Sequence, residues 1–522
     1  MPFSVILASL ISIGVALVVV PKFSFLGTDS TFYLLLAESV HRGEGLTIFG
    51  QPHTIFSPFL SLLIAPFLFL TSQTEFVAHA LMVVSGIASI PLLYWALVPL
   101  MTGRAAGYAA TVFGLTGTWM WSYMTDINSQ TIATALSIAL FGYIVRTRQA
   151  MSTHLPQSLW CTLGVLIGVL YLTRPEYIIL FPFIYLLLTY LARASRYTWR
   201  SHLRMCACYS IGFLLVSGPY LIFLKSETGS WTISGRMNEM VLIATQDTYE
   251  SVDGAPGDAS AILTPPDLPQ GAFATLLQDL PGTLKLLLDG LITSERNIIQ
   301  MYGFLGMFFF ALGVWNVITS RQFFTILTYL TLLIPLGAIA FFQGGSPNYL
   351  VQYLYIFAGC IGYGMFVWER DMLQLFGGMR YIRAIVGIVI ISTMVYLVHS
   401  VPQRFLFLPP DYTTPELRAM GAWIQDTHPD SIERIITRKP ELAYFAGTVW
   451  TLFPDVDSGS ELISFMEGQG IRYVVIDRYV RATRGNVALD IASGNFKSLV
   501  PLHTITMHGE SITLYELQTP RI

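Results

Sequence analysis

Long uninterrupted apolar segments recur along most of this chain of 522 residues. Most of them are roughly 17–25 residues long, which is the length that a helix needs to cross the hydrocarbon core of a bilayer. Only 12% of the residues are charged and 53% are hydrophobic, whereas a soluble globular chain carries about 25% charged residues. Much of the surface must therefore face lipid, and the sequence predicts a polytopic membrane protein.

The apolar segments predict about eleven membrane-spanning helices, and hence an all-α membrane domain over residues 1–400. A further apolar stretch, residues 56–70, is short and contains Pro58 and Pro66. It is therefore predicted to lie in the membrane interface rather than to cross the bilayer. The predicted spans are residues 3–21, 76–99, 105–121, 128–145, 158–173, 177–192, 206–224, 301–319, 323–342, 350–368 and 382–400.

Arginines predict how the chain is oriented, because short cytoplasmic loops carry an excess of positive charge. A cytoplasmic N-terminus puts most arginines of the membrane domain in cytoplasmic loops, with Lys22 as an exception. Two outer loops, at about residues 22–75 and 225–300, then face the outside of the plasma (inner) membrane. Counting residues 56–70 as a crossing would reverse this pattern for the cluster between 193 and 204. The arginines assigned to cytoplasmic loops are Arg104, Arg146, Arg148, Arg193, Arg196, Arg200, Arg204, Arg321, Arg370, Arg380 and Arg383.

Residues 401–522 differ in composition from the rest of the chain, because β-branched runs alternate there with helical stretches. Such alternation predicts a small α/β domain. An odd number of crossings places this domain on the extracytoplasmic side. Its predicted helices are residues 414–427, 440–446, 460–467 and 486–493, and its predicted strands are residues 432–437, 449–452, 472–476, 499–507 and 512–517.

Two aspartates stand out in the predicted outer loops. Asp29 opens an amphipathic stretch after the first span, and Asp126 lies between the third and fourth spans. A charged group beside a membrane is costly unless it has a function or a partner. Each aspartate also precedes a helical stretch, so capping of a helix N-terminus is the alternative explanation for both. The net charge of −3 offers no basic field for nucleic acid.

The order of these features resembles a known superfamily over about residues 1–225. An acidic residue follows the first span in Gly27-Thr28-Asp29-Ser30, a tiny turn at Thr102-Gly103-Arg104 joins two spans, and Asp126 follows in the next outer loop. In this order and spacing the chain resembles the GT-C glycosyltransferases, and in particular bacterial protein-mannosyltransferases and aminoarabinose transferases. Further segments like those of bacterial members are Arg42-Gly43-Glu44-Gly45, Ser57-Pro58-Phe59, Leu172-Thr173-Arg174-Pro175-Glu176, Pro347-Asn348-Tyr349, Thr437-Arg438-Lys439-Pro440-Glu441 and Gly470-Ile471-Arg472-Tyr473.

The resemblance implies transfer of a hexose or pentose, with inversion, from a polyprenyl-phosphate-linked donor to a lipid, glycan or protein acceptor on the extracytoplasmic face. It implies that Asp29 is the general base or orients the nucleophile. Asp126 would hold a divalent cation (Mg²⁺, Mn²⁺ or Zn²⁺) together with Asp29, or would order the acceptor. Some members carry a second acid beside the first-loop aspartate, where this chain has Ser30, so the metal is an open alternative.

Cations are expected near the site, because the departing lipid phosphate gains negative charge. Arg236 is the first candidate, since it lies just beyond the seventh predicted span. Each candidate cation can also be explained as a charge flanking a span, Arg174 can pair with Glu176, and His53 can be a structural residue of a turn. The predicted substrate-binding residues are Arg236, Lys225, Arg174, Asn128, His53 and Arg296, with Arg438 or Lys439 as further candidates from the C-terminal domain.

Two other classes of protein stay open from the sequence. A polytopic lipid or glycan transporter or flippase would be expected to carry mid-span charges and broken helices repeated in two halves, and the sequence has neither pattern. A non-catalytic membrane assembly protein with an outer α/β module would need neither Asp29 nor Asp126. Replacement of these two acids therefore distinguishes a transferase from both alternatives.

Overall fold

The computed structural model describes most of the chain. The described residues are 2–23, 26–116, 126–150, 157–194, 198–235, 280–320, 322–343, 347–377, 379, 381–400, 415–428, 432–494 and 496–518.

Helices dominate the first 400 residues, and each predicted span coincides with or overlaps a described helix. Short 3₁₀ turns follow α3 (Ala65–Phe69), precede α8 (Pro175–Ile179) and precede α13 (Val351–Tyr353). The helices are α1 (Phe3–Phe23), α2 (Thr28–His41), α3 (Phe59–Ile64), α4 (Thr74–Leu97), α5 (Gly103–Thr116), α6 (Ser129–Ala150), α7 (Gln157–Thr173), α8 (Leu180–Ala194), α9 (Trp199–Thr228), α10 (Leu280–Thr319), α11 (Phe323–Gln343), α12 (Pro347–Leu350), α13 (Leu354–Phe376) and α14 (Ile382–Ser400).

Five of the described helical segments are long and apolar enough to cross a membrane. They are Thr74–Leu97, Pro175–Arg193, Trp199–Thr228, Leu280–Thr319 and Val351–Phe376. Shorter apolar helices coincide with other predicted spans, including Phe3–Leu17 and Ile382–Tyr396. These helices are those of a multi-pass membrane protein, while the count of eleven crossings stays a prediction.

Two contacts identify the two ends of the bundle. At one end, Ser30 in α2 bonds to Asp126, which lies in the chain between α5 and α6. At the other end, Arg104 at the start of α5 pairs with Glu369 near the end of α13, so α5 and α13 run in opposite directions. The end of the bundle that carries Ser30 is called the site end below.

The predicted interface segment forms two short helical pieces, α3 and the 3₁₀ turn Ala65–Phe69. Together they span Phe59–Phe69, and at about 1.5 Å per residue this is too short for a crossing of about 30 Å. The Ser61 hydroxyl donates to the Tyr33 carbonyl oxygen at 2.8 Å, so the segment is held against α2. Its packing on α2 places it at the site end.

The predicted outer loop at residues 225–300 is too long at both ends. Helix α9 continues to Thr228, and α10 begins at Leu280 rather than near residue 301. The helix therefore begins well before the predicted span, and a non-helical residue, Gly303 (φ 62°, ψ −178°), produces a kink close to where that span was expected to start. Residues 236–279 lie outside the described part of the chain.

Close helix crossings in the bundle depend on glycine. A Cβ atom on Gly164 of α7 would collide with the Tyr209 carbonyl oxygen of α9, and one on Gly212 would collide with the Cys161 carbonyl oxygen. Small residues at such positions let two membrane helices approach until their backbones touch. The two glycines therefore set the distance between α7 and α9.

We expect Gly164→Ala to destabilise the protein by about 1–3 kcal/mol, because the new methyl group collides with backbone that can move only if the helices separate. Gly218→Ala on α9 is the matched control, since a Cβ atom there meets nothing within 4 Å. Thermal unfolding of the two purified variants in the same detergent measures the difference. Equal melting temperatures would show that the crossing tolerates a side chain.

The C-terminal residues form a five-stranded sheet with helices, as predicted. The strand order is β4-β3-β5-β7-β6, in which β3 pairs in parallel with β4 and β5, and β7 pairs antiparallel with β5 and β6. The elements are α15 (Pro415–Thr427), β3 (Arg434–Thr437), α16 (Pro440–Ala446), β4 (Val449–Leu452), α17 (Gly459–Gln469), β5 (Tyr473–Ile476), α18 (Arg478–Thr483), α19 (Gly485–Ala492), β6 (Leu499–Met507) and β7 (Glu510–Leu517). A small hairpin, β1 (Thr47–Ile48) and β2 (Gln51–Pro52), lies in the first loop.

The C-terminal sheet is seated on the first loop of the membrane domain. One buried cluster of apolar side chains contains Leu34 and Leu60 from the first loop together with Leu442 and Trp450 from the C-terminal domain. The Phe32 and Trp450 rings meet edge to face at 5.6 Å. A separate cluster fills the opposite face of the sheet beneath α17. The C-terminal domain is thus packed at the site end of the bundle.

Candidate active site

Helix α2 presents Asp29 at the site end. Its N-cap is Gly27, and Asp29 is the second residue of the helix, where a carboxylate interacts favourably with the helix dipole. The side chain of Asp29 is exposed, whereas the next residues, Ser30 to Leu34, are buried. The amphipathic pattern of α2 therefore buries one face against the bundle and leaves the acid accessible.

Asp126 lies beside the same turn of α2, although it comes 96 residues after Ser30 in the chain. The Ser30 hydroxyl donates to Asp126 Oδ1 at 2.6 Å, and the Asn128 amide donates to Oδ2 at 3.2 Å. Burial raises the pKa of Asp126, and the negative charge of Asp29 raises it further, while the two hydrogen bonds act in the opposite direction. The two aspartates thus interact electrostatically within one site.

Neither aspartate occupies the N-cap position of the helix that follows it. The N-cap of α2 is Gly27, without a side-chain cap bond, so Asp29 lies inside the helix. Asn128 takes the capping role before α6, because its Oδ1 accepts from the Gln130 backbone N–H at 3.1 Å. Asn128 was predicted to bind substrate; in the structure its amide holds Asp126 and caps α6, and a contact with substrate stays a prediction.

An arginine–glutamate pair lies near Tyr33, on which the charge of Asp29 also acts. Arg174 Nε lies 2.5 Å from Glu176 Oε1, and both side chains are mostly buried, with 11% and 15% exposed. The Arg174 guanidinium lies 5.0 Å from the centre of the Tyr349 ring. Its charge also interacts with Tyr33, whose hydroxyl donates to Ser129 Oγ at 3.3 Å. The predicted pairing with Glu176 is confirmed, and the position beside Tyr33 brings Arg174 to the site.

His53 is placed in an apolar stack. It is 7% exposed, and its ring stacks on Phe32 at 5.8 Å and on Phe56 at 5.6 Å. Its Nε2 accepts from the Phe56 backbone N–H at 3.2 Å. Burial lowers the pKa of His53 to about 4, so the ring is neutral at physiological pH. These contacts agree with the structural alternative for His53, and a role toward substrate stays a prediction.

The other predicted cations are distributed differently. Lys225 is on the last turns of α9, where its ammonium donates to the Gly229 carbonyl oxygen. Arg296 is exposed on α10. Arg236 lies outside the described residues, directly after Gly235, whose N–H donates to the Thr54 carbonyl oxygen at 3.1 Å. The substrate-binding roles of these three residues stay predictions.

The C-terminal domain contributes an acid that the sequence interpretation missed. Glu441, in α16, is 3% exposed, and its Oε1 accepts from the Thr28 hydroxyl at 3.1 Å. Of the two C-terminal cations considered from the sequence, Arg438 donates to Thr483 and Lys439 lies over the Tyr479 ring at 4.4 Å. Glu441 lies in a segment that suggested family resemblance, but no local signal indicates that its partner is 413 residues away.

The donor set is small for a metal ion. Among the described residues, no group of three or more His, Cys, Asp and Glu side chains is arranged to hold a metal. Asp29 and Asp126 together fit only a hard cation such as Mg²⁺ that keeps several waters and takes its remaining ligands from substrate phosphate. Each Asp126 oxygen already accepts one hydrogen bond and retains capacity for a further partner.

The helical bundle with the C-terminal domain packed on its first loop is a fold that solved membrane glycosyltransferases share. No family model matches the sequence, and no curated protein matches it. The chain is similar in structure to the oligosaccharyltransferase AglB from Archaeoglobus fulgidus, solved with an inhibitory peptide and dolichol-phosphate. The TM-score is 0.60 at 12% identity, over 99% of this chain and 74% of that one.

ArnT from Cupriavidus metallidurans, solved with undecaprenyl phosphate, is a second such structure. Its TM-score is 0.59 at 11% identity, and the match covers 99% of both chains. The apo form of the same ArnT gives a TM-score of 0.58 at 12% identity, again over 99% of both chains. Both proteins are GT-C glycosyltransferases. At these identities the similarity establishes a shared fold, and it extends through the C-terminal domain.

Proposed function

We propose that this protein is an inverting glycosyltransferase that transfers a sugar from a polyprenyl-phosphate-linked donor to an acceptor at the site end of the bundle. The observation that carries the proposal is the exposed Asp29 held beside Asp126 through Ser30. Fold alone does not define function, so the argument rests on the chemistry that these residues can perform. The GT-C fold of the solved transferases supports the same class of donor.

Asp29 is the general base of the proposed reaction. Its accessible carboxylate accepts the proton of an acceptor hydroxyl or amine as that group attacks the anomeric carbon. The bond between the anomeric carbon and the phosphate oxygen breaks, and the lipid phosphate leaves with the electron pair. Attack from the face opposite the leaving group inverts the anomeric configuration. Asp126, held by Ser30 and Asn128, orders the acceptor beside Asp29.

Arg174 is the strongest described candidate for binding the departing phosphate. It lies near Tyr33 and Tyr349, and an arginine fork suits phosphate oxygens. Lys225, Arg236 and Arg296 are further candidates. A divalent cation at Asp29 and Asp126 would supply additional positive charge for the phosphate. We also propose that the site end faces the outside of the plasma membrane, because arginines such as Arg104 lie at the opposite end.

The proposal predicts that purified protein will cleave at least one member of a panel of polyprenyl-phosphate sugars. The panel should include hexose and pentose donors, and released polyprenyl phosphate should be measured by thin-layer chromatography and mass spectrometry. We expect turnover to increase when membrane lipids or glycans from the producing cells are added as acceptors. Vesicle assays serve as the control, because a transporter or flippase moves a lipid-linked sugar across the bilayer without breaking its bond. Movement without cleavage would contradict the proposed function.

A further inference from the structure

The first turn of α2 lacks the side-chain cap that normally fixes a helix start. Gly27 occupies the N-cap position, and no side-chain cap bond is formed there. The first four N–H groups of a helix have no partner within the helix, and glycine leaves the backbone more freedom than any other residue. Within the turn, the Thr31 hydroxyl and the Thr31 backbone N–H both donate to the Gly27 carbonyl oxygen. The side chains of Thr28 and Ser30, on either side of Asp29, are held by contacts with other elements.

Two such contacts flank Asp29 in the chain. The hydroxyl of Thr28, the residue before it, donates to Glu441 Oε1 at 3.1 Å. The hydroxyl of Ser30, the residue after it, donates to Asp126 Oδ1 at 2.6 Å. One partner belongs to the C-terminal domain and the other to the membrane domain. Asp29 thus lies between two anchors that come from different parts of the molecule.

The buried carboxyl of Glu441 has a cost in folding free energy. Glu441 is 3% exposed, and burial raises the pKa of its carboxyl despite the nearby charge of Lys439. Its second oxygen, Oε2, is buried and has no hydrogen-bond partner within the described part of the chain. A buried carboxyl costs free energy that an apolar side chain of the same size would not. The carboxyl also interacts with its own backbone N–H in the first turn of α16, and it accepts a directed bond from Thr28 of the membrane domain.

Attachment of the domain does not depend on that bond. Apolar contacts, including the edge-to-face pair of Phe32 and Trp450, join the C-terminal domain to the first loop. Two further polar contacts lie away from Asp29: Tyr444 donates to Glu38 at 3.4 Å, and Arg418 pairs with Glu75 at 2.7 Å. The apolar surface holds the domain in place, so the Glu441 bond can be removed without undocking it.

We propose that Glu441 is a positioning residue of the C-terminal domain. Its hydrogen bond to Thr28 orders the first turn of α2 and thereby orients the Asp29 carboxylate toward the acceptor. This inference rests on the proposed function for its kinetic consequence. Its structural consequence, an ordered first turn, can be measured without any substrate. A small displacement of a reacting group is enough to reduce a rate by about 10²-fold.

Two pairs of variants isolate the hydrogen bond from charge and volume. Thr28→Val and Glu441→Met remove the donor or the acceptor, whereas Thr28→Ser and Glu441→Gln keep them. We expect the first pair to lower kcat by about 10–100-fold with little change in KM, and the second pair to stay within about threefold of the unmodified protein. Tyr444→Phe is the matched control, because it removes a bond of the same interface at the other end of α2.

Amide hydrogen exchange measures the order of the turn without any sugar substrate. The Thr31 N–H closes the first turn on the Gly27 carbonyl oxygen at 3.0 Å. We expect exchange in the peptide covering this turn to be about tenfold faster in Thr28→Val and Glu441→Met, and unchanged in Thr28→Ser, Glu441→Gln and Tyr444→Phe. All six proteins should be compared in the same detergent or nanodisc.

The outcomes separate this inference from the proposed function. If the unmodified protein cleaves no donor of the panel, the proposed function fails and exchange alone decides whether Glu441 orders the turn. Unchanged exchange in Glu441→Met overturns the inference, whatever the activity. Faster exchange with unchanged kcat overturns it as well, because the anchor would then not matter for Asp29. Equal loss in Glu441→Gln and Glu441→Met would assign the effect to charge rather than to the hydrogen bond, and would also overturn it.

Discussion

Asp29→Asn is expected to lower the turnover of a polyprenyl-phosphate sugar by about 10²–10⁴-fold, because the amide cannot accept the proton of the attacking group. The variant should remain folded, since the side chain is exposed at the helix start. Initial rates of polyprenyl phosphate release at saturating donor measure the loss. Thermal unfolding of the same preparation shows whether the protein is intact.

Two further variants make the Asp29 result specific. Asp29→Glu keeps a carboxylate and should retain measurable turnover, whereas Asp426→Asn removes an exposed acid of α15 and should leave the rate unchanged. An Asp29→Asn protein whose rate stays within about threefold of the unmodified protein would refute the role of general base, because a general base contributes at least about 10²-fold. The transferase would then need another residue as its general base.

Arg174→Met is expected to destabilise the protein by about 3–5 kcal/mol, the cost of breaking a buried ion pair on one side. The reason is Glu176, whose carboxylate is only 15% exposed and would lose its partner at 2.5 Å. Unfolding in detergent by heat or denaturant measures the change. Binding of polyprenyl phosphate to the surviving folded protein should weaken as well, because Arg174 is the proposed phosphate ligand.

The double variant Arg174→Met with Glu176→Met separates these two effects. Replacement of a whole buried ion pair by apolar side chains is often close to neutral for stability. We therefore expect the double variant to regain most of the lost stability while binding of polyprenyl phosphate stays weak. If the double variant also binds polyprenyl phosphate normally, Arg174 is only a structural partner of Glu176. If the single variant is as stable as the double, the pair contributes nothing measurable.

Hydropathy and local propensity were sufficient for much of the secondary structure. The predicted spans coincide with or overlap described helices, and residues 56–70 contain two short helical pieces, whose position in the membrane interface stays a prediction. All five predicted C-terminal strands form one sheet. Helix α18 (Arg478–Thr483) was missed, because it has only six residues. An apolar pattern of that length is too short to be recognised as a helix, even with Asp477 at its N-cap. The early start of α10 was missed because polar residues such as Glu295 lowered the hydropathy of its first half.

The acidic residues of the candidate site were only partly identifiable from the sequence. Asp29 and Asp126 were singled out from the sequence because a charge beside a membrane is costly, and the structure brings them together through Ser30. Glu441 has the same kind of cost, but it looks like an ordinary surface acid of a soluble domain in the sequence. Its burial becomes visible only when α16 is packed on α2. The same holds for Asn128, which the fold uses as a cap and as a support for Asp126.

The sequence by itself determined which segments are helices in a membrane and which form the C-terminal sheet, because hydrophobic length and periodicity depend on neighbouring residues only. Only the tertiary structure decided which residues contact the turn that carries Asp29. Ser30 bonds to Asp126, 96 residues away, and Thr28 bonds to Glu441, 413 residues away. Such contacts arise from how whole helices and a whole domain pack. No local pattern in the chain encodes them.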